Sequence, residues 1–272
     1  MSERRFTILA VGATGSIGRL VVEEALRRGH AVRALIRSAD KARPLAPGAD
    51  IVIGDVTLPQ TLVDAVDGVD AIVLTLGSDG QGKAGAETTE YGGVRNILAA
   101  LDGRQARIVL MTAIGVTDRE GQYNRSTQAH DWKRRSERLV RASSLPYTIV
   151  RPGWFDHNAP DQHRLHLLQG DRRHAGNSSD GVIARRQIAE VLVNSLSSDE
   201  AIAKTFELVA GHGPAQDDFA ALFAALDADP RASLDGVRDL ANMPLDAEPP
   251  HVRVDLDAAL ARRPHSQSNS AR

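Results

Sequence analysis

One short stretch, Gly12-Ala13-Thr14-Gly15-Ser16-Ile17-Gly18, constrains the fold of this chain more than any other. It follows the apolar run Phe6–Val11, which is typical of a buried strand, and it leads into apolar residues at helical spacing. The first glycine permits a tight turn, the second lets the backbone approach a ligand, and the third lets helix and strand pack closely. The free N–H groups at a helix start favour an anion. The stretch therefore predicts a strand–turn–helix unit that binds the diphosphate of a dinucleotide; the alternative is a glycine turn without a ligand.

Strand-like and helix-like segments alternate through the first half of the chain. The expected strands are Phe6–Val11, Ala31–Ile36, Ile51–Ile53, Ala71–Leu76, Arg107–Thr112 and Tyr147–Val150. The expected helices include Leu62–Val66, Tyr91–Leu101 and His130–Ala142. Parallel strands require crossover connections, and unbroken apolar strands fit a sheet that is covered on both faces. The alternation therefore predicts an α/β fold with a Rossmann-type, doubly wound parallel sheet.

The regular alternation ends after Arg151. Residues Asp156–Asp180 are polar, rich in His and Arg, and without a clear period. Order returns with an expected helix, strand and helix at Gln187–Leu196, Thr205–Val209 and Phe219–Leu226. We expect one dinucleotide-binding domain over residues 1–272, with its core at 1–155. Residues 156–263 would form a small C-terminal cap that covers the substrate and the sheet edge, and 264–272 a disordered tail rich in Ser, Asn and Arg.

Composition excludes several classes of function. The chain has no cysteine, which excludes disulfides, thiolate nucleophiles and thiolate metal sites. The formal net charge of -2 gives no electrostatic basis for binding nucleic acid or an anionic membrane. No apolar run approaches the ~20 residues of a membrane span, and the strand that begins at Phe6 leaves no room for a signal peptide. We expect a cytoplasmic protein, a monomer or a homodimer, that acts on a small molecule.

Several motifs, in order along the chain, resemble those of a known family. The GxxGxxG spacing and the segment Gly54-Asp55-Val56 after the third strand resemble the short-chain dehydrogenase/reductase superfamily. Later motifs narrow the resemblance to its atypical branch, the NmrA-like and biliverdin-reductase-B-like proteins. These motifs are Asn96, Lys133 with Glu137, Tyr147-Thr148-Ile149-Val150-Arg151-Pro152-Gly153, Gln187-Ile188-Ala189-Glu190-Val191 and Thr205-Phe206-Glu207-Leu208. The resemblance covers residues 5–210 and implies an oxidoreductase with an NAD(P)-binding Rossmann fold.

The resemblance also implies where the cofactor would lie. Asp55 and Val56 would border its adenine, and Leu76 and Gly77 would run beside its pyrophosphate and ribose. An NAD site usually has a carboxylate at the end of the second strand, but here Arg37 follows that strand. A guanidinium would instead pair with a 2′-phosphate. We therefore expect NADP(H), with NAD(H) as the alternative if Arg37 is only a surface arginine.

The catalytic pattern of the superfamily is incomplete in this chain. Most members have a tyrosine four residues before a lysine that lowers its pKa, so that the phenol relays a proton. Lys133 stands in the place of that lysine, but Ala129 stands four residues earlier, and none of the three tyrosines pairs with a lysine in this way. By resemblance, Lys133 would hold the nicotinamide ribose. Thr112 and His130 are candidate substitutes for the missing group.

Each substitute has a structural alternative. By resemblance, Thr112 takes the place of a serine that holds the substrate, or else it is a strand residue whose hydroxyl bonds to backbone. His130 would donate a proton, or else it is an exposed histidine at a helix start. His163 and His166 have a spacing that a helix can use for zinc, but no carboxylate lies in the usual register and the resembled family uses no metal. We expect no metal site, and a substrate-covering loop for an anionic or polar ligand, or a solvated loop without a role.

These features together favour an NADPH-dependent oxidoreductase that transfers a hydride to a small conjugated acceptor. A quinone or flavin takes a hydride and is protonated by water, so this chemistry tolerates the missing tyrosine better than ketone reduction does. Two alternatives stay open. One is a non-enzymatic NADP(H)-sensing regulatory protein, as among NmrA-like regulators, and the other is an epimerase or isomerase that uses the bound cofactor transiently.

Overall fold

The computed structural model describes residues 4–43, 45–78 and 81–261, so the expected tail at 264–272 lies outside the described residues. Its centre is a sheet whose strands are β1 Thr7–Val11, β2 Ala31–Ile36, β3 Asp50–Ile53, β4 Ala71–Leu74, β5 Arg107–Met111, β6 Tyr147–Pro152, β7 Trp154–Phe155, β8 Arg164–Leu168, β9 Val182–Ile183 and β10 Lys204–Gly211. The strand order is β3-β2-β1-β4-β5-β6-β10-β9-β7, and β8 pairs with β10.

The strands from β3 to β6, and β10 beside them, run parallel to one another. β1 pairs with β2 on one side and with β4 on the other, so the strand order reverses between them. Ile108 and Val109 of β5 point to opposite faces of the sheet, and both are completely buried. These observations confirm the predicted doubly wound sheet. The loop after β1 therefore opens at the switch point where such sheets bind ligands.

Helices cover both faces of the sheet. They are α1 Gly18–Arg27, α2 Val63–Val66, α3 Gly82–Gly85, α4 Gly92–Leu101, α5 Gln122–Thr127, α6 Ala129–Ala142, α7 Arg185–Ser197, α8 Phe219–Ala224 and α9 Pro250–Ala261. α1 and α7 pack on one face, for example through Val22 and Ile188. α4 and α6 pack on the other face, for example through Ile97 and Val140. Within the described ranges, no helix is long and apolar enough to cross a membrane.

The helical segment before β5 is longer than its apolar pattern predicts. The pattern predicted a helix over Tyr91–Leu101, whereas the structure continues back through a π-helical segment, Ala86–Tyr91, into α3. The polar run Glu87-Thr88-Thr89-Glu90 has no hydrophobic period, so periodicity detects the helix only where its apolar face begins. A π-helical turn within an α-helix often occurs at a functional site.

The sequence analysis missed four elements of the second half: the two-residue strands β7 and β9, and the longer β8 and α9. The segment 156–180 has no clear period in the sequence, yet it contains β8, which pairs antiparallel with β10. Alternation in β8 is too brief to detect, because only Leu165 is buried between the exposed Arg164 and His166. The sequence analysis also did not predict α9, which buries Val252 and Leu256 against α6.

The segment after β10 packs against α6, whereas the sequence analysis expected the C-terminal part over the sheet edge. It holds α6 through buried ion pairs: Arg134–Asp235 at 3.1 Å, Arg135–Glu248 at 2.7 Å, Arg138–Glu248 at 2.9 Å and Arg141–Asp229 at 3.1 Å. Every residue of α6 is buried except His130 and Lys133. Because hydrophobic periodicity cannot predict burial through charge pairing, the position of this segment was not foreseeable. The division into a core and a cap stays a proposal.

Candidate functional site

The loop between β1 and α1 requires glycine at two of its positions. Gly12 has a φ of +85°, and a Cβ atom there would lie 2.7 Å from the backbone oxygen of Thr75. A Cβ atom on Gly18 would lie 2.0 Å from the backbone oxygen of Gly12. Both positions therefore exclude a side chain, the first at the tight turn and the second where helix and strand pack.

The open side of the same loop consists of Thr14, Gly15 and Ser16, which are all exposed. A Cβ atom on Gly15 would approach only the oxygen of Gly12, at 3.2 Å, so the space in front of Gly15 is open. Ile17 stands at the N-cap of α1, and no side chain caps this helix start. Uncapped N–H groups facing open space suit phosphate oxygens. The diphosphate of a dinucleotide therefore fits this loop.

Two arginines, one within β2 and one directly after it, have different surroundings. Arg33 donates to the carbonyl oxygens at the end of α2, to Ala65 at 3.0 Å and to Asp67 at 2.6 Å, so its role is structural. Arg37 is exposed and makes no hydrogen bond or ion pair with any residue in the described part of the chain. Its guanidinium is therefore available to a phosphate group at the place where the sequence predicts a 2′-phosphate contact.

Asp55 and Val56 form a rigid turn after β3. Oδ1 of Asp55 accepts hydrogen bonds from the backbone N–H and the hydroxyl of Thr57, both at 2.8 Å. The backbone oxygen of Val56 accepts from Nδ2 of Asn96 at 2.8 Å. Asn96, one of the residues of the family resemblance, therefore fixes the turn that would border the adenine.

A buried carboxylate connects the end of β4 to α6. Gly77 is exposed, and a Cβ atom there would meet none of the described residues within 4 Å, so the chain from Leu76 to Gly77 leaves space for a ligand. The next residue, Ser78, donates its backbone N–H to Oε1 of Glu90 at 3.0 Å, and its hydroxyl donates to the same oxygen. The other oxygen of Glu90 accepts from the ammonium of Lys133. The lysine of the family pattern is therefore held by Glu90, which lies in the π-helical segment.

Thr112 faces α6 rather than an open space. Its hydroxyl donates to Oε1 of Glu137 at 2.7 Å, and the same carboxylate accepts from two nitrogens of Arg151, at 3.0 and 2.6 Å. All three side chains are buried. The structural alternative proposed that this hydroxyl bonds to backbone, whereas it bonds to a side chain. The substrate-holding role of Thr112 stays a prediction.

The tyrosines lie in two kinds of environment. The hydroxyl of Tyr91 donates to Asp255 at 2.8 Å and that of Tyr147 donates to Asp229 at 2.9 Å. Burial and these carboxylates raise the pKa of both phenols, which makes them poorer proton donors. Tyr123 is exposed on α5, and the centre of its ring lies 5.0 Å from that of His130.

His130 is not the exposed histidine that the structural alternative proposed. Its side chain is half-buried, and its Nδ1 atom is buried without a hydrogen-bond partner in the described part of the chain. Burial lowers the pKa of His130, and the charge of Lys133 lowers it further. A neutral imidazole therefore stands one helical turn from Lys133, with one ring nitrogen unused.

Asp171 ties the segment 156–180 to the loop after β5. Its two carboxylate oxygens accept from the backbone N–H groups of Gly115 at 2.6 Å and Thr117 at 2.7 Å. Burial opposes ionisation, but His174 at 3.8 Å, the charge of Arg151 and the two backbone bonds together lower the pKa of Asp171 to about 2. A charged carboxylate therefore orders the loop that follows the predicted catalytic strand.

A cavity of about 200 Å³ lies between this loop and β10. Its lining residues are Ile114, Leu168, Gln169, Arg172, Arg173 and Glu207. Burial raises the pKa of Glu207 to about 7, although Arg151 nearby opposes the shift. A larger groove of about 420 Å³ between α4 and α9 contains none of the predicted site residues. The smaller cavity is the better candidate for an acceptor, because four of its lining residues belong to the segment 156–180 that the sequence predicts to cover the substrate.

The zinc interpretation of His163 and His166 finds no support. His166 lies in β8 and His163 just before it, so the spacing of three that suits one face of a helix places them on opposite faces of extended chain. Over the described ranges, no group of three or more His, Asp or Glu residues is close enough to hold a metal ion.

Sequence reasoning missed three functional candidates, Glu90, Asp171 and Arg185. Arg185 begins α7, and its Nε donates to Oγ of Ser16 in the glycine loop at 3.2 Å. The partners of these residues lie 43, 54 and 169 positions away along the chain. No local spacing connects residues so far apart, so no signal in this sequence alone identifies the contacts.

Comparisons with known proteins agree with this geometry. A family model described as NAD(P)H-binding matches residues 12–199. Sanguinarine reductase of Eschscholzia californica is 28% identical over 266 residues, which cover 82% of this chain and 97% of that protein. Photosystem II assembly factor Ycf39 of Synechocystis sp. is 26% identical over 74% of this chain and 62% of its own length. The chain therefore spans less than two thirds of that second relative.

Solved structures share the fold at lower identity. A protein from Bacillus halodurans, proposed to be an NAD-dependent epimerase/dehydratase, has a TM-score of 0.67 and 23% identity, over 81% of this chain and all of its own. ChuY, an anaerobilin reductase from Escherichia coli O157:H7, has a TM-score of 0.58 and 21% identity, over 75% and 96%. A short-chain dehydrogenase/reductase from Veillonella parvula in complex with NADP has a TM-score of 0.56 and 15% identity, over 78% and 97%.

Proposed function

Given that the chain belongs to the NAD(P)H-binding family, as a reductase of the atypical short-chain dehydrogenase/reductase type, we propose that it transfers a hydride from NADPH to a small conjugated acceptor. The observation that carries this proposal is the environment of Lys133. Its ammonium pairs with Glu90, while the phenols of Tyr91 and Tyr147 are bonded to carboxylates elsewhere. The usual lysine–tyrosine relay is therefore not assembled from these residues.

Each part of the cofactor has candidate partners. The loop Gly12–Gly18 would bind the diphosphate, and Arg37 would bind the 2′-phosphate. The turn at Asp55 and Val56 would border the adenine, and the open chain at Leu76 and Gly77 the pyrophosphate and ribose. When bound, the reduced cofactor supplies the hydride.

Lys133 has a binding role in this proposal. Glu90 holds its ammonium at the end of β4, where the lysine can donate to the hydroxyls of the nicotinamide ribose. An ammonium has three donors and no acceptor, so Lys133 can pair with Glu90 and still donate to the ribose.

The acceptor class follows from the missing relay. A simple ketone needs a proton at its oxygen as the hydride arrives, whereas a conjugated acceptor spreads the new electron pair and takes its proton from water. The cavity beside Ile114 is lined by two apolar residues and four polar or charged ones, which suits a flat molecule with a polar edge. The names of sanguinarine reductase and anaerobilin reductase support reduction as the type of reaction.

The test is acceptor-dependent consumption of NADPH. The protein is incubated with NADPH and, in parallel, with a flavin, a quinone or an aliphatic ketone as the matched control. We expect the flavin or quinone to accelerate cofactor oxidation and the ketone to have no effect. Equal turnover of the ketone would mean that a proton donor has been overlooked. Conversion of an added substrate without net change in the cofactor would instead indicate an epimerase or isomerase.

A non-enzymatic NADP(H)-binding role is the second candidate. It is supported by the name of the relative Ycf39, an assembly factor, and by the neutralised charge of Lys133. The same assay separates it from the reductase. Tight binding of NADPH without turnover of any acceptor would favour the second candidate.

A further inference from the structure

One side chain from the C-terminal half reaches the glycine loop. Arg185 is the first residue of α7, and its Nε donates to Oγ of Ser16 at 3.2 Å, across 169 positions of sequence. Ser16 is exposed on the open side of the loop, next to the uncapped start of α1. The guanidinium therefore stands beside the space in which the cofactor's diphosphate fits.

Two neighbouring residues, Asp156 and Phe155, hold the guanidinium in this position. Asp156 accepts from the backbone N–H of Arg185 at 3.0 Å through one oxygen, and its other oxygen pairs with a terminal nitrogen of the guanidinium. The guanidinium carbon lies 5.3 Å from the centre of the Phe155 ring. Asp156 and Phe155 both belong to the short segment at and after β7. These contacts fix the orientation of the Arg185 side chain.

One end of the guanidinium remains open. Nε is used by Ser16 and one terminal nitrogen by Asp156, while the other terminal nitrogen makes no hydrogen bond with any residue that the structure describes. The side chain of Arg185 is 36% exposed. A guanidinium has five donors in a planar fork, which matches two oxygens of a phosphate group. Its open donors, held beside Ser16, are next to the uncapped start of α1.

We propose that Arg185 binds the diphosphate of the nicotinamide cofactor beside the glycine loop. This inference rests on the proposed use of the loop as the cofactor site, but it does not depend on the acceptor. It also assigns a different phosphate group of the cofactor to each of two arginines. Arg37 meets the 2′-phosphate, which only NADPH has, whereas Arg185 meets the diphosphate that NADPH and NADH share.

The chain contains a matched control for Arg185. Arg186 is the next residue on the same helix, and its side chain is 49% exposed. It also reaches the N-terminal half, but it pairs there with Glu23 of α1 at 2.7 Å instead of with the loop. Removing Arg186 therefore removes the same charge from the same helical turn without touching the proposed phosphate contact.

The experiment is to titrate NADPH and NADH into the wild-type protein and into Arg185→Ala, Arg186→Ala and Arg37→Ala, and to measure Kd without any acceptor. We expect Arg185→Ala to weaken both cofactors about 10-fold, as loss of a charge-assisted hydrogen bond does. Arg186→Ala should change neither cofactor by more than about 2-fold. Arg37→Ala should weaken NADPH alone. Arg185→Lys, which keeps the charge and loses the fork, should fall between wild type and Arg185→Ala.

Two results would overturn the inference. Equal, small effects of Arg185→Ala and Arg186→Ala would mean that Arg185 is a structural link between α7 and the loop. Loss of NADPH binding alone in Arg185→Ala would mean that this arginine meets the 2′-phosphate instead. Failure of every acceptor to consume NADPH, with these affinities as expected, would contradict the proposed function and leave the role of Arg185 standing. If Arg185→Ala does not fold, the Kd values for Arg185→Lys decide in the same way.

Discussion

α1 and α6 pack on opposite faces of one sheet, and opposite kinds of contact hold them. α1 packs through apolar residues such as Val21, Val22 and Ala25, all essentially inaccessible to solvent. α6 is almost entirely buried as well, yet its buried face includes several arginines, and their partners come from the segment after β10. Burial alone therefore does not distinguish the two helices.

The two kinds of contact predict different losses of stability when a residue of α1 or of α6 is replaced. Apolar contacts are non-directional, so the loss of one leaves its neighbours in place. A buried ion pair is different, because removing one partner leaves an uncompensated charge away from water. The glycine loop before α1 adds a third kind of constraint, since a backbone atom occupies the space that a side chain would need. The predictions below test these three constraints and then the site itself.

The largest effect on stability is expected from breaking the charge network of α6. Arg138 bonds Asp235 at 2.7 Å and Glu248 at 2.9 Å, and its side chain is 3% exposed. Arg138→Leu should lower the free energy of unfolding by about 3–5 kcal/mol, because Asp235 and Glu248 each lose a partner away from water and Arg135 alone then pairs with Glu248. Arg186→Leu, which breaks an exposed pair, should cost less than about 1 kcal/mol. Urea unfolding measures the stability of the two variants, and similar losses would contradict the expected difference between a buried and an exposed ion pair.

The next largest effect is expected in the glycine loop. A Cβ atom on Gly18 would lie 2.0 Å from the oxygen of Gly12, so Gly18→Ala must move backbone and should cost about 3 kcal/mol of stability. Gly77→Ala is the control, since none of the described residues lies within 4 Å of its Cβ atom, and its stability should change by less than about 1 kcal/mol. Thermal unfolding compares the two variants. A stable Gly18→Ala protein would show that the loop is softer than its contacts indicate.

Asp171→Asn should lower stability by about 2 kcal/mol near neutral pH, because an amide cannot accept both backbone bonds of the loop after β5. The pKa of Asp171 is about 2 in the folded state, against an ordinary value of 3.8. The carboxylate therefore stabilises the fold fully above the ordinary value, and this contribution is lost as the pH falls towards 2. Unfolding measured between pH 7 and pH 3 should show the gap between wild type and variant narrowing below about pH 4. A gap independent of pH would contradict the role of the charged form.

Arg37→Ala should weaken NADPH binding by roughly 10- to 100-fold and leave NADH almost unchanged, since a charge-assisted hydrogen bond contributes about 1.5–3 kcal/mol. Arg37→Asp should push the preference further towards NADH by repelling the 2′-phosphate. Added salt should reduce NADPH affinity more than NADH affinity, because the exposed contact is screened. Competitive titration of both cofactors measures the ratio. Equal losses of affinity for NADPH and NADH would mean that Arg37 is only a surface charge.

The smallest effect is expected from removing the exposed phenol beside His130. Tyr123→Phe should leave turnover of a conjugated acceptor within a few-fold of wild type, because the proposed chemistry takes its proton from water. Tyr91→Phe and Tyr147→Phe should behave alike where the fold survives, since both phenols are bonded to carboxylates. A ~100-fold loss of kcat in Tyr123→Phe, about 2.7 kcal/mol of barrier, would identify it as the proton donor.

Prediction from the sequence succeeded where a pattern is local. The run Ala31–Ile36 forms β2 with the predicted bounds, and Gly12 and Gly18 have the close backbone contacts that their spacing indicates. It failed where elements depend on distant partners. β8 exists because it pairs with β10, and α9 because it packs on α6, and neither has a strong period of its own.

The candidate site divides in the same way. The glycine loop and Arg37 after β2 were identified from the sequence, because turn geometry and phosphate chemistry impose residue types at fixed local spacings. Tertiary structure alone brought Glu90 to Lys133 and Arg185 to Ser16, because these contacts join segments whose separation along the chain encodes nothing about their distance in space. The sequence by itself determined the parallel sheet and the nucleotide-binding turn. The partners of the α6 arginines and the contact of Arg185 with the glycine loop depend on tertiary structure, because they form only when the C-terminal half folds against the first.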